Sequence, residues 1–331
     1  MSAEPLPGQL PGKGWAVGKR LRRISSSRAV GALLHALTVI AFVVVITFAL
    51  VRIVPGDPVV SIEGINSTPQ ARAAMRAQLH LNRPVLVQFE LYVRSVATGD
   101  LGKSLIQQGR PVSEIIKSTL PVTLALIVTT VIISVLIGVP LAWVLARGEF
   151  PGRNLLRAAV VLPILLPPVV GGVGLLVALG RSGLVGRWLN DAFGIQLTFT
   201  TTGAVLATTF VSMPLVVLAT EAGLRGLDRR YERAAAAMGG SPWYVFRRVT
   251  LPMVAPQLLA GAILTWARAL GEFGATITFA GNLAGRTQTM PLAVYEARQV
   301  DPGGAIVLSL ILVVISVAVL AALGGRLTGL R

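Results

Sequence analysis

The chain has no cysteine and only two histidines, His35 and His80, far apart in sequence. Disulfides, thiolate chemistry and a Cys/His metal cage are excluded, so no metal or cofactor site is expected. Charge is also scarce: 13% of the 331 residues are charged, against about 25% in a soluble domain. A complete phosphate-cradling loop, Gly, four residues, then Gly-Lys-Ser/Thr, is missing too. Gly102-Lys103-Ser104 has Ala97 where the first glycine belongs, and Gly12-Lys13 is followed by Gly14. The chain is therefore not expected to bind or hydrolyse ATP.

What is abundant is apolar sequence, 53% of the chain. Runs at 30–51, 120–146, 156–179, 203–220, 253–280 and 303–323 each approach or exceed the ~18–20 residues that a membrane span requires. The first is longer than the apolar part of a signal peptide and has no small-x-small cleavage site before Arg52. These runs predict an all-α membrane protein with six transmembrane helices in contact with lipid. Residues 1–29 form a basic tail, 52–119 a polar segment of their own, and 120–325 the main transmembrane unit.

The net charge of +16 does not point to nucleic acid, because the basic residues sit in short blocks beside the apolar runs. Lys13, Lys19, Arg20, Arg22, Arg23 and Arg28 lie in the tail. Arg147, Arg153 and Arg157 follow the second run, and Arg225, Arg229, Arg230, Arg233, Arg247 and Arg248 follow the fourth. The alternate short loops carry only Arg181, Arg187, Arg286 and Arg298. By the positive-inside rule both termini and the 224–252 loop are cytoplasmic in a prokaryotic plasma membrane, and 52–119 is extracytoplasmic.

The 228–252 stretch, DRRYERAAAAMGGSPWYVFRRVTLP, is a polar island between two spans. Asp228 is a fair N-cap, Gly239-Gly240 ends that helix, and Ser241-Pro242 starts a second, giving a helix-turn-helix outside the membrane. Alanines 234 to 237 offer a helix surface that another protein can approach closely. The spacing Ala234-Ala235, three residues, Gly239, nine residues, Val249-Thr250-Leu251-Pro252 resembles the "EAA" loop of ATP-binding cassette (ABC) importer permeases. In that family the loop is a coupling helix seated in a cleft of the ATPase subunit. The resemblance marks Glu232, Arg233, Ala234, Ala235, Gly239, Leu251 and Pro252 as the coupling positions. Arg233 stands where the family has glutamate, and Glu232 lies one residue early.

The third run contains Pro163, Pro167, Pro168, Gly171, Gly172 and Gly174, which predict a kink or an unwound turn. It serves either a cavity or tight packing through small residues. In the fifth run Arg268 and Glu272 are four residues apart on one helical face. Charges in a span are expensive and pair, face the interior or line a pathway. Beyond them Thr276, Thr278, Asn282 and Arg286-Thr287-Gln288-Thr289 form a donor-rich run near the outer mouth that suits a small polar or anionic solute, or an exposed loop. Arg268, Glu272, Phe273, Thr276 and Thr278 are the candidates for the translocation path or gate.

The strings ARALGEFGATITFAGNLAGRTQTMPLAVY (267–295), AWVLARGEFPGR (142–153) and LPILLPPVVGG (162–172) resemble the molybdate/tungstate permeases, whose relatives are the sulfate/thiosulfate permeases. That resemblance implies a type I importer fold, a permease homodimer, two ABC ATPase subunits that bind the ATP, and an extracytoplasmic solute-binding protein delivering an oxyanion. In the 52–119 segment, Arg52-Ile53-Val54-Pro55-Gly56-Asp57-Pro58, Leu79-His80-Leu81-Asn82-Arg83-Pro84 and Gly99-Asp100-Leu101-Gly102-Lys103-Ser104 resemble dipeptide/oligopeptide permeases. Molybdate is thus the expected substrate, with sulfate and peptide as alternatives. A secondary transporter driven by an ion gradient usually shows two related halves with midplane charges in each, whereas here the intramembrane charge is confined to one span.

Overall fold

The computed structural model describes residues 68–98 other than 79, then 111–300 and 302–328, with isolated positions 38, 41, 42, 45, 48 and 59. The expected basic tail, and most of the first span, lie outside the described residues. Every regular element among the described residues is helical, as an all-α chain requires. In chain order they are α1 (Pro69–Gln78), α2 (Val85–Thr98), α3 (Val112–Arg147), α4 (Arg153–Leu165), α5 (Pro168–Leu179), α6 (Gly186–Phe193) and α7 (Thr201–Gly226). After these come α8 (Arg229–Ala237), α9 (Pro242–Val245), α10 (Leu251–Leu270), α11 (Gly274–Ala280), α12 (Met290–Val300) and α13 (Pro302–Thr328).

Among the described residues, three helical stretches are long and apolar enough to cross a membrane: Val112–Arg147, Thr201–Gly226 and Pro242–Leu270. The first is 36 residues, about 54 Å at 1.5 Å per residue. It begins within the segment expected to be polar and extramembrane, so Glu114 and Lys117 ride on the first turns of a spanning helix. The third stretch counts α9, a π turn and α10 as one continuous helix.

Helix α7 is the axis of the bundle. Its apolar window is 56% buried, against 39% for α3 and 28% for the α9–α10 stretch. Small residues explain its position: Gly203, Ala204, Ala207, Thr208 and Ser212 are buried along it, letting α3, α5, α10 and α11 approach. At the loop end, Ala142, Leu145, Val160, Val217, Leu224 and Val254 join α3, α4, α7 and α10 in one cluster. At the other end, Val112 and Ile115 of α3 pack on Met290, Ala293 and Leu308 of α12 and α13. Outward-facing Val128, Ile132 and Leu136 of α3, and Val169, Val173 and Val177 of α5, are exposed apolar residues of the kind that face lipid.

Candidate functional site: an exposed loop helix and two facing helix breaks

The loop between α7 and α10 is built from local capping chemistry. The Asp228 carboxylate accepts from the Arg230 N–H at 2.9 Å and starts α8. At the other end, the Gly239 N–H donates to the Ala236 carbonyl and the Gly240 N–H to that of Ala235, with Gly239 at φ +90°. That double bond with a left-handed glycine satisfies carbonyls which the last helical turn would otherwise leave open. Ser241 then accepts from the Tyr244 N–H at 3.3 Å, and Pro242 occupies the first turn of α9.

The second helix is not the separate element expected. It runs through a π turn at Phe246–Thr250 straight into α10, the Leu251 N–H reaching back to the Phe246 carbonyl. Pro252 has no N–H for the carbonyl four residues earlier, and its ring crowds that carbonyl. Widening the preceding turn accommodates both effects.

Across α8 the coupling positions divide into two sets. Arg233, Ala234 and Gly239 are exposed, as are Ala236 and Ala237. With Tyr231, Met238, Trp243 and Tyr244, of which Met238 is 84% exposed, they form a largely apolar and aromatic face that no helix among the described residues covers. Ala235 instead points inward, at 8% exposure. Glu232 also turns inward, its Oε1 accepting from Arg147 Nη2 at 3.2 Å and from Thr250 Oγ1 at 3.0 Å. Leu251 is half-buried and Pro252 exposed. The expectation that Ala235 belongs to the approachable surface is therefore corrected: it is a packing residue of the loop helix itself.

Inside the bundle two helices are interrupted. The third apolar run breaks at Leu166-Pro167, with Leu166 extended as the residue before a proline must be. Pro163, by contrast, remains inside α4. The fifth run breaks as well, α10 ending at Leu270 and α11 starting at Gly274. Arg268 and Glu272 do pair, Nη1 to Oε2 at 2.6 Å, but not along one continuous helix. Glu272 sits in the break, only 3% exposed, and its Oε1 accepts from the Ala275 N–H at 2.8 Å. It thus caps α11 while holding Arg268 of α10. Gly271 and Gly274 flanking it were the sequence signal for this interruption.

The two breaks face each other. A Cβ on Gly172 of α5 would lie 2.8 Å from Thr278 Cβ and 3.0 Å from Ala275 Cα. One on Gly274 would lie 2.9 Å from Pro168 Cβ and 3.0 Å from the Val169 nitrogen. Only glycine permits this contact. The two candidate threonines diverge: Thr276, fully buried, is 3.5 Å from Thr208 of α7, whereas Thr278 donates to its own Gly274 carbonyl at 2.7 Å. Phe273 is half-buried with its ring 4.8 Å from that of Tyr295.

The donor-rich run after α11 is mostly spent internally. Gln288 and Asn282 both donate to Glu296 Oε2, at 2.7 and 3.0 Å, while Thr287 Oγ1 accepts from the Leu283 N–H and donates to the Gly281 carbonyl. Thr287, Gln288 and Thr289 are buried, and only Arg286 of that quartet is exposed. The polarity serves to fold the turn into α12. Sequence reasoning missed this use, along with Arg147, Thr250, Glu296 and the carboxylate of Glu221, which Arg157 and Arg225 both engage.

This arrangement, a spanning bundle with interrupted helices and an exposed loop helix, is that of a transport component. The sequence pattern of the binding-protein-dependent transport system inner membrane components matches residues 134–327, and that of their N-terminal region matches 26–127. The chain belongs to this family, as a membrane permease subunit of an ABC importer. It is 48% identical over 195 residues to the molybdenum transport system permease protein ModB of Mycobacterium tuberculosis, covering 59% of this chain and 74% of that one. To ModB of Haemophilus influenzae it is 44% identical over 209 residues, covering 60% and 91%. To the sulfate transport system permease protein CysW of Synechocystis it is 38% identical over 203 residues, covering 60% and 73%. A solved bacterial ABC transporter involved in import of the polysaccharide alginate shares the fold, with TM-score 0.55 at 15% identity over 66% of this chain and 80% of that one.

Proposed function

We propose that this chain is the permease of an ATP-driven molybdate importer, acting as a homodimer with two separate ATPase subunits and an extracytoplasmic binding protein. The observation that carries the reading is the 44–48% identity to permeases named for molybdenum transport, over 195 to 209 residues. In this reading the termini and the α7–α10 loop are cytoplasmic in the inner membrane, and 52–119 is extracytoplasmic. The exposed face of α8 and α9 seats in the ATPase, which binds the ATP. Arg233, Ala234 and Gly239 lie on that face, and Glu232, Ala235, Leu251 and Pro252 hold it in place.

In this reading the facing breaks form the gate region. Buried polar backbone is tolerated in a bundle where it is satisfied internally or lines a cavity. Here Glu272 satisfies one helix start and retains Arg268, whose side chain is 32% exposed and whose charge suits an anion passing nearby. Phe273, Thr276 and Thr278 fix the surrounding packing. Sulfate is the second reading, favoured by the identity to CysW.

The test is ATP-dependent uptake by vesicles carrying the permease with its neighbouring ATPase and binding protein. Labelled molybdate should accumulate and tungstate should compete. Accumulation of sulfate or peptide without molybdate would overturn the assignment.

A further inference from the structure

Glu232 has the features of a residue facing a partner: it is acidic and lies in the first turn of the loop helix. The structure gives it another occupation. Its Oε1 receives Arg147 Nη2 and Thr250 Oγ1, and the same Nη2 reaches the Leu227 carbonyl at 3.5 Å. Arg147 is the last residue of α3, Leu227 caps α7, and Thr250 closes the π turn that enters α10. One guanidinium and one carboxylate therefore tie α8 to the ends of α3 and α7 and to the π turn that leads into α10.

The tie is sheltered. The Arg147 and Glu232 side chains are 12% and 16% exposed, and Thr250 is fully buried. An ion pair in such surroundings is less screened than a surface pair and holds a more defined geometry. Arg229, Arg230, Arg233, Arg247 and Arg248 around it are all exposed, leaving Arg147 as the cation turned inward on Glu232. The Trp143 and Phe246 rings, 5.2 Å apart and edge to face, brace the same junction between α3 and the π turn.

We infer that Arg147, Glu232 and Thr250 form a positioning clamp that carries displacement of the loop helix into α3, α7 and α10, and that Glu232 is not a contact to the ATPase. This rests on the reading of α8 as the ATPase-docking helix. A rigid link between the docked helix and the spanning helices is what converts ATPase movement into rearrangement of the bundle. Without it α8 still docks, but its motion is absorbed at the loop.

The test uses the complete complex, permease, ATPase and binding protein, in proteoliposomes, reading ATP hydrolysed per oxyanion imported for each assembled complex. Arg147→Met should raise that ratio several-fold, while the ATPase still co-purifies. Arg147→Lys should recover part of the coupling, and Thr250→Val should shift the ratio less than Arg147→Met. A merely structural role would lower the amount of complex and leave the ratio per complex unchanged, which would overturn the inference. If Arg147→Met does not assemble, the near-isosteric Glu232→Gln decides: a raised ratio supports the clamp and an unchanged one overturns it. Failure of the unsubstituted chain to retain any ATPase would instead count against the docking reading itself.

Discussion

Two Arg–Glu pairs set the two candidate regions apart. Arg147–Glu232 joins residues 85 apart in sequence at the junction of loop and bundle. Arg268–Glu272 joins residues four apart across a broken helix inside it. In the first, the carboxylate bridges separate helices, and its hydroxyl partner Thr250 contributes from a third. In the second, the carboxylate is almost wholly buried and spends its other oxygen on one backbone N–H of the next helix. The same ion pair is thus a tie between elements in one place and a repair of interrupted backbone in the other. What decides between them is which other donors reach the carboxylate.

That contrast orders the expected effects. The largest belongs to Arg268→Met, which leaves the buried Glu272 carboxylate without its cation. Breaking a buried pair on one side costs about 3–5 kcal/mol, with the lower end expected because Arg268 is 32% exposed. Glu272→Gln should cost less, since an amide oxygen can still accept from the Ala275 N–H. Membrane abundance and thermal unfolding in detergent measure both, and a double-mutant cycle with strict additivity would show that the two charges do not interact. Gly172→Val comes next: its Cβ alone meets Thr278 and Ala275 below 3.1 Å, and such overpacking costs about 1–3 kcal/mol. Wild-type abundance in that variant would mean that α5 and α11 can separate.

Smaller effects are expected at the loop. Gly239→Ala is open to space but forces a side chain to φ +90°, a conformation costing roughly 1–2 kcal/mol per residue. Loss of function there would mix strain with docking. Ala236→Arg, on the exposed face, should leave stability within about 0.5 kcal/mol yet abolish ATPase association in a pull-down. The smallest effect belongs to Arg187–Asp191, whose side chains are 78% and 63% exposed. Replacing either by alanine should change the unfolding midpoint hardly at all, as surface pairs contribute about 0–1 kcal/mol.

Elements governed by local chemistry could be read in the sequence. Asp228, Gly239 and Ser241-Pro242 act as caps and stops because capping needs only neighbours within three residues. The kink at Pro167 was legible for the same reason. The break at Gly271–Phe273 was masked by the surrounding apolar run, whose hydropathy says nothing of continuity. Ala235 and Ala236 cannot be told apart by composition, since facing in or out depends on how α8 rolls onto the bundle. Arg147 meeting Glu232 is a tertiary event, as is the Gln288–Glu296 bond, which draws inward a string that reads either as facing a solute or as an exposed loop.

In the proposed mechanism ATP-driven force enters through the outward face of α8. Because the chain has no cysteine, a single thiol can be placed at will. Ala236→Cys and Ala235→Cys complexes, assembled with a cysteine-free ATPase carrying one engineered thiol in its permease-facing cleft, should be treated with a short bis-maleimide. The account predicts efficient cross-linking from position 236 and little from the buried position 235. Cross-linking from neither in a complex that still imports substrate, or equal cross-linking from both, would contradict it.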